Sequence, residues 1–177
     1  FALMIGCKPS LLSDSKIGKN LSFRVLLKAA VIISGRNYDQ KISQWCLRLD
    51  YTEGIKHAFE YAHITKKPTL LRALLDKHKN STGVIKECVT IYSVLYDFMT
   101  YKFPEKELKN KIESIKGITN KSLQILLEIN MIIGDYYNKK YLNMLESLRE
   151  IENRINELSD KREFFIKECY YIRCSEA

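Results

Sequence analysis

The residues best placed to recognise a partner lie at the start of the chain, in FALMIGCKPSLLSDSKIGKNLSFR. Polar groups recur there at Lys8, Ser10, Ser13, Asp14 and Lys16, then at Lys19 and Arg24. Short hydroxyl, carboxylate and ammonium side chains along one helix edge can hydrogen-bond the edges of base pairs in a major groove. Cations at the end of such a helix and just beyond it suit phosphate oxygens, which position a protein on duplex DNA without reading its sequence. Lys8, Ser10, Ser13, Asp14 and Lys16 are therefore the expected groove-facing residues, and Lys19 and Arg24 the expected phosphate contacts.

Such a set needs a tight two-helix frame. The spacing Ala2-x3-Gly6-x5-Leu12-Ser13 supplies one. Ala2 is small where two helices would cross closely, and Gly6 can take a turn that a Cβ would strain. Leu12 points back to a small core, and Gly18-Lys19 ends the second helix with a flexible cap and a cation near its carboxyl end. Leu21-Ser22-Phe23 then leads into RVLLKAAVII, an apolar helix able to pack behind the pair. The stretch resembles the phage repressor (Cro-like) helix-turn-helix over its second, third and fourth helices, with the first helix missing. The bland alternative is two short core helices of an all-α domain.

The 177 residues carry a net charge of +8, and the surplus is uneven. From Phe1 to Asn80 there are 14 Lys and Arg against 6 Asp and Glu, whereas from Gly83 onward the two are equal at 15. A basic surface releases counterions from nucleic acid, so the asymmetry points to double-stranded DNA as a partner of the first half. The five cysteines, Cys7, Cys46, Cys88, Cys169 and Cys174, form no C-x-x-C pair and fall mainly at apolar helical positions. They are expected as reduced core thiols in a cytoplasm. Even GVIKECVTIYSVLYDFMTYK is interrupted by Lys86, Glu87 and Asp97, so no membrane span is expected.

Helical periodicity runs through the remainder, and no segment alternates long enough to be a strand. Ile55, Ala58, Phe59 and Ala62 form a stripe. Pro68 opens a helix through Leu70, Leu71, Leu74 and Leu75, and residues 84–101 are apolar almost all round and so central. Thr119-Asn120 caps a helix over 121–137, and a further helix carries Tyr141, Leu145, Leu148, Ile151, Ile155 and Leu158. Helix pairs begin near Asn37, Thr69, Pro104 and Tyr141, the period of tetratricopeptide-like hairpins. Gly134-x-x-Tyr137 is the one fragment of that repeat's signature. The expected fold is all-α: a truncated helix-turn-helix over 1–36, then hairpin repeats over 37–177 forming a right-handed α-solenoid, with an irregular helical bundle as the alternative. The last hairpin ends in apolar side chains without a polar cap. Leu148, Ile151, Ile155, Phe164, Phe165 and Ile172 are accordingly expected to form a homodimer interface.

No catalytic constellation emerges. His57, His63 and His78 have no ligand spacing, and single glycines cradle no phosphate. Neither an enzymatic activity nor a cofactor or metal is expected. The eleven tyrosines could stack on bases or line a peptide groove, but most fall at amphipathic core spacings.

The segments IGKNLSFRVLLKAAVIISGRNYDQKISQWCLRLD and GIKHAFEYAHITKKP, and more faintly IIGDYYNKKYLNML, are similar to the arbitrium receptors of Bacillus phages, the AimR family. The shared features are Gly18-Lys19 before an apolar helix, Cys46-Leu47-Arg48-Leu49-Asp50 at a helix end, and Glu60-Tyr61-Ala62 at the next. The resemblance implies a dimeric transcription regulator of the phage lysis-lysogeny decision, in which a short signalling peptide bound by the repeats abolishes productive DNA binding. The chain is about half the length expected of that family, so most of the peptide-holding repeats are expected to be absent from it. The rival readings are a helical-repeat adaptor that grips another protein, a truncated regulator without DNA-binding activity of its own, and an RNA-binding helical protein, for which no sequence signature appears.

Overall fold

The computed structural model describes residues 23–157 and Tyr170. Among these residues every regular element is a helix. The order is α1 (Phe23–Ser34), a 3-10 turn (Gly35–Asn37), α2 (Tyr38–Cys46), α3 (Thr52–Ile64), α4 (Pro68–His78), α5 (Gly83–Met99), a second 3-10 turn (Glu105–Glu107), α6 (Leu108–Glu113), α7 (Lys121–Tyr137) and α8 (Tyr141–Glu157). The chain divides into two units, Phe1–Ala58 and Phe59–Ala177.

In the first unit α1 packs against α2. Gly35, with φ of +49°, makes the sharp departure from α1 that a side chain would strain. Val25, Ala29, Ala30, Ile42 and Cys46 are buried, the two alanines among them small enough for close helix approach. At the start of α3, Gly54 serves a similar purpose. A Cβ there would fall 2.5–2.8 Å from the Tyr51 ring, which lies against the helix backbone. The expected boundary after Arg36 falls in the 3-10 turn between α1 and α2.

In the second unit, Pro68 occupies the first turn of α4, where its missing N–H costs nothing. Leu70, Leu71, Leu74 and Leu75 then recur on one face and are buried. Each buried leucine contributes about 1.5–3 kcal/mol against exposure. A four-residue connection (79–82) leads into α5, which packs on α4. Its Ile85, Cys88, Ile91, Tyr92 and Leu95 are buried, while its remaining apolar residues are half-covered. The Phe59 and Tyr92 rings stack at 5.2 Å, with His78 tilted on Phe59 at 6.1 Å. Burial, with Lys77 adding to it, holds the His78 pKa below its ordinary value, so this imidazole is neutral core. Cys46 and Cys88 are free thiols inside the two units, as their apolar settings implied.

Helix α7 begins where the sequence placed it. Asn120 Oδ1 accepts the Leu123 N–H at 3.2 Å, the side-chain cap that satisfies an otherwise orphaned donor. It packs on both α6 and α8. Gly134 marks the tightest approach: a Cβ there would meet Lys109 Cβ at 2.6 Å and Lys109 N at 2.9 Å. Beside it Lys109 Nζ donates to both oxygens of the buried Asp135, at 2.6 and 2.9 Å.

Three helices of this unit end alike. At the end of α3, Lys66 N–H donates to His63 O (3.1 Å) and Lys67 N–H to Ala62 O (2.8 Å). At the end of α5, Tyr101 N–H donates to Phe98 O (3.0 Å) and Lys102 N–H to Asp97 O (2.9 Å). At the end of α7, Lys139 N–H donates to Tyr136 O (3.0 Å) and Lys140 N–H to Asp135 O (2.9 Å). Lys66, Tyr101 and Lys139 take positive φ of 52°, 55° and 58°. Each pair of bonds is the Schellman turn that satisfies the last carbonyls of a helix. The corners stand 35 and 38 residues apart along the chain.

Candidate functional site

The carboxyl ends of α3, α5 and α7 line one cleft of about 450 Å3. Each corner contributes a group of side chains: His63, Lys66 and Pro68 from the first, Phe98, Met99 and Tyr101 from the second, Tyr136 and Tyr137 from the third. Ile132 and Ile133 of α7, Glu105 of the 3-10 turn and Met144 of α8 complete the wall. A Schellman turn throws its left-handed residue out of the helix, and Tyr101 in that position is 86% exposed. His63 is nearly fully buried and meets the Tyr92 ring edge-on at 5.8 Å, so the cleft floor rests on the aromatic core.

The aromatic residues form a continuous series. Phe98 meets Phe103 at 6.1 Å and Tyr137 at 6.4 Å; Tyr136 meets Tyr137 at 5.5 Å and Tyr141 at 6.2 Å. Leu142 and Leu145 of α8 are also exposed. Asn138 Nδ2 donates to Lys106 O at 3.2 Å, tying the third corner to the 3-10 turn that carries Glu105. A cleft of this volume, apolar with a few polar groups, has the composition of a binding site for side chains or a small organic ligand.

A second, smaller cleft of about 270 Å3 lies among α6, α7 and α8. Its charges are largely engaged in holding the helices: Lys109 with Asp135, and Arg154 of α8 with Glu128 of α7. Arg154 thus reaches across from α8 to the neighbouring helix. At the amino end of α7, Glu87 of α5 accepts from Thr119 Oγ1 (2.6 Å), Thr119 N–H (3.1 Å) and Asn120 N–H (3.0 Å). Burial alone would raise the Glu87 pKa, but these three donors outweigh it and hold the carboxyl below its ordinary value.

Most of the expected DNA-contacting residues, Lys8, Ser10, Ser13, Asp14, Lys16 and Lys19, lie outside the described residues, and Arg24 is described only as part of the α1 backbone. Of the expected dimer residues, Ile151 and Ile155 are 3% and 4% exposed and serve as core. Leu148 is half-buried, and its carbonyl accepts from Tyr170 Oη at 3.3 Å. Phe164, Phe165 and Ile172 lie outside the described residues. The three histidines are buried, and among the described residues no cluster of His, Cys, Asp and Glu could hold a metal ion. No described helix is long and apolar enough to cross a membrane.

A family model described as AimR transcriptional regulator-like matches residues 39–177. The chain belongs to that family. The AimR-like match runs from the first turn of α2 to the last residue, so the three corners, the cleft and both ion-paired crossings fall inside it. Two of the segments that carry the AimR resemblance coincide with corners. GIKHAFEYAHITKKP contains the turn at Lys66, and IIGDYYNKKYLNML contains Gly134, Asp135, the turn at Lys139 and the cleft residue Met144. Neither the curated proteins nor the solved structures contained a match.

Which tyrosines line a groove is what sequence reasoning left undecided. Tyr61, Tyr92 and Tyr170 are core, as amphipathic spacing implied, yet Tyr101, Tyr136, Tyr137 and Tyr141 are exposed around the cleft. The available signal was their position at helix ends beside Lys102 and Lys139-Lys140, where the chain leaves its helical period.

Proposed function

We propose that this chain is a DNA-binding transcription regulator of the phage lysis-lysogeny decision, built as a helix-turn-helix reader followed by tetratricopeptide-like hairpins and working as a homodimer. The observation that carries the proposal is the AimR-like match over 39–177. The concentration of positive charge between Phe1 and Asn80 supports duplex DNA as the partner. The recurrence of one corner at Lys66, Tyr101 and Lys139 supports hairpin repeats over an irregular bundle, because stacked equivalent pairs turn at equivalent places.

A gel-shift titration with the DNA flanking its own gene tests the reading. The chain should retard that duplex, Lys19→Ala should weaken every sequence alike and flatten the salt dependence, and Ser10→Ala should alter sequence preference. Absence of retardation at low salt would sink the DNA reading. The aromatic cleft favours the second reading, an adaptor that grips another protein, and that reading predicts no retardation.

A further inference from the structure

The outward side of α2, in the first unit, carries donors and no acid. Counting from Asn37, residues Gln40, Lys41, Gln44 and Arg48 follow at helical spacings, so all five share one side of α2 and of the turn that prolongs it. All five are exposed, with the exposed Tyr38 and Leu47 at the two margins. Ile42 and Cys46 on the opposite side are buried, and the helix packs against α1. The three carboxylates between residues 23 and 58 lie off this face. Asp39 is half-buried on the side of Ile42 and Cys46, Glu53 pairs with Lys56 at 3.3 Å, and Asp50 stands beside Tyr51 in the connection to α3. Among the described residues none pairs with the side chain of Lys41 or Arg48, whereas Arg72, Lys102, Lys109 and Arg154 of the second unit are ion-paired. A face that is merely solvated mixes both signs, as α8 does with Glu146, Arg149, Glu150 and Glu152.

We infer that this face of α2 is a second contact surface for duplex DNA, one that holds the sugar-phosphate backbone. It rests on duplex DNA as the partner, the reading proposed above, and adds to it a binding element on a helix that reading does not use. Phosphate oxygens accept from ammonium, guanidinium and primary amide alike, and a carboxylate among the donors would repel them. The face has all three donors and no carboxylate. Cations without a protein partner break no ion pair when they neutralise phosphate, so they keep the whole gain of counterion release. Lys41 and Arg48 stand about 10 Å apart along the helix axis, far enough to meet different phosphates, with Gln44 between them. Backbone contacts of this kind add affinity for any sequence and fix orientation, while sequence choice stays with side chains that reach base edges.

Gel-shift titrations of the full chain over a range of salt test the surface, on the DNA flanking its own gene and on an unrelated duplex. Lys41→Gln/Arg48→Gln should bind both duplexes about tenfold or more weakly at physiological salt, with a log–log salt slope shallower by about 2. Gln44→Glu, which keeps the side chain's shape but sets a carboxylate on the face, should also weaken both. All three positions are exposed, so circular dichroism should report unchanged helix content. A Lys79→Gln/Lys116→Gln control removes the same charge from exposed sites of the second unit and should keep the parent's slope. An equal loss in the control would reduce the effect to net charge and overturn the proposal. A loss confined to the flanking sequence would overturn the backbone assignment in favour of base contacts. If the parent retards DNA and the α2 variants match it in affinity and slope, this surface alone is overturned and the face is left to an acidic protein. If the parent retards neither duplex, the DNA reading falls and this surface with it.

Discussion

Glu87 shows how much one half-buried carboxylate can organise. It receives three hydrogen bonds from the two residues that precede α7, while Asn120 caps that helix with its own side chain. Since those donors depress its pKa in the folded chain, the charged form contributes stability that is fully present above the carboxyl's unfolded value and is lost as pH falls through the lower folded value. Glu87→Gln should lower stability at neutral pH by about 1 kcal/mol, a modest figure because the site is partly solvated and screened. Urea titrations at descending pH should show the two proteins converging once the parent's carboxyl is protonated. A difference that persists undiminished in acid would assign the effect to shape rather than charge.

At the scale of helices, closest approach and corner geometry set the terms. The α6–α7 crossing depends on Gly134, where an added Cβ would sit 2.9 Å from a backbone nitrogen of Lys109. Gly134→Ala must therefore part the helices and loosen the adjacent Lys109–Asp135 pair. A loss of about 1–3 kcal/mol is expected from thermal or chemical unfolding. The corners behave oppositely. Lys139 holds a left-handed conformation that costs a residue with a Cβ roughly 1–2 kcal/mol, whereas glycine adopts it freely. Lys139→Gly should raise stability by up to about 1 kcal/mol, the gain being trimmed by glycine's larger unfolded-state entropy. A lower midpoint in the variant would mean that the lysine contributes more through its charge at the helix end than its backbone costs.

For the whole molecule, the proposed dimer needs a surface that pairs two copies. Ile151 and Ile155 are consumed inside the chain, so a dimer built on the last hairpin has to use its outward residues. Sedimentation at micromolar concentration should show a dimer, as the pairing of two readers on a pseudo-palindrome requires. A Tyr101→Glu variant, charged within the cleft lining, separates the possible surfaces. An unchanged dimer leaves the cleft for another protein, whereas a monomer would make the cleft the subunit interface.

Composition and periodicity alone determined that the chain is helical, where α4, α7 and α8 begin, and that Cys46 and Cys88 are core thiols. These are local properties: proline at a first turn, asparagine at a cap, and apolar spacing need only nearby residues to be read. The segments that carry the family resemblance were also legible, because they are strings of adjacent residues. Tertiary structure alone decided the rest. Nothing in the residue types at Lys66, Tyr101 and Lys139 announces a left-handed corner, since glycine is the usual marker and neighbouring helices impose the turn instead. Arg154 pairs with Glu128, and Lys109 with Asp135, across 26 residues of sequence, and such partners depend on which helix faces which. The cleft has the same origin: its tyrosines share no helical face, and only stacking three helix ends side by side brings them together.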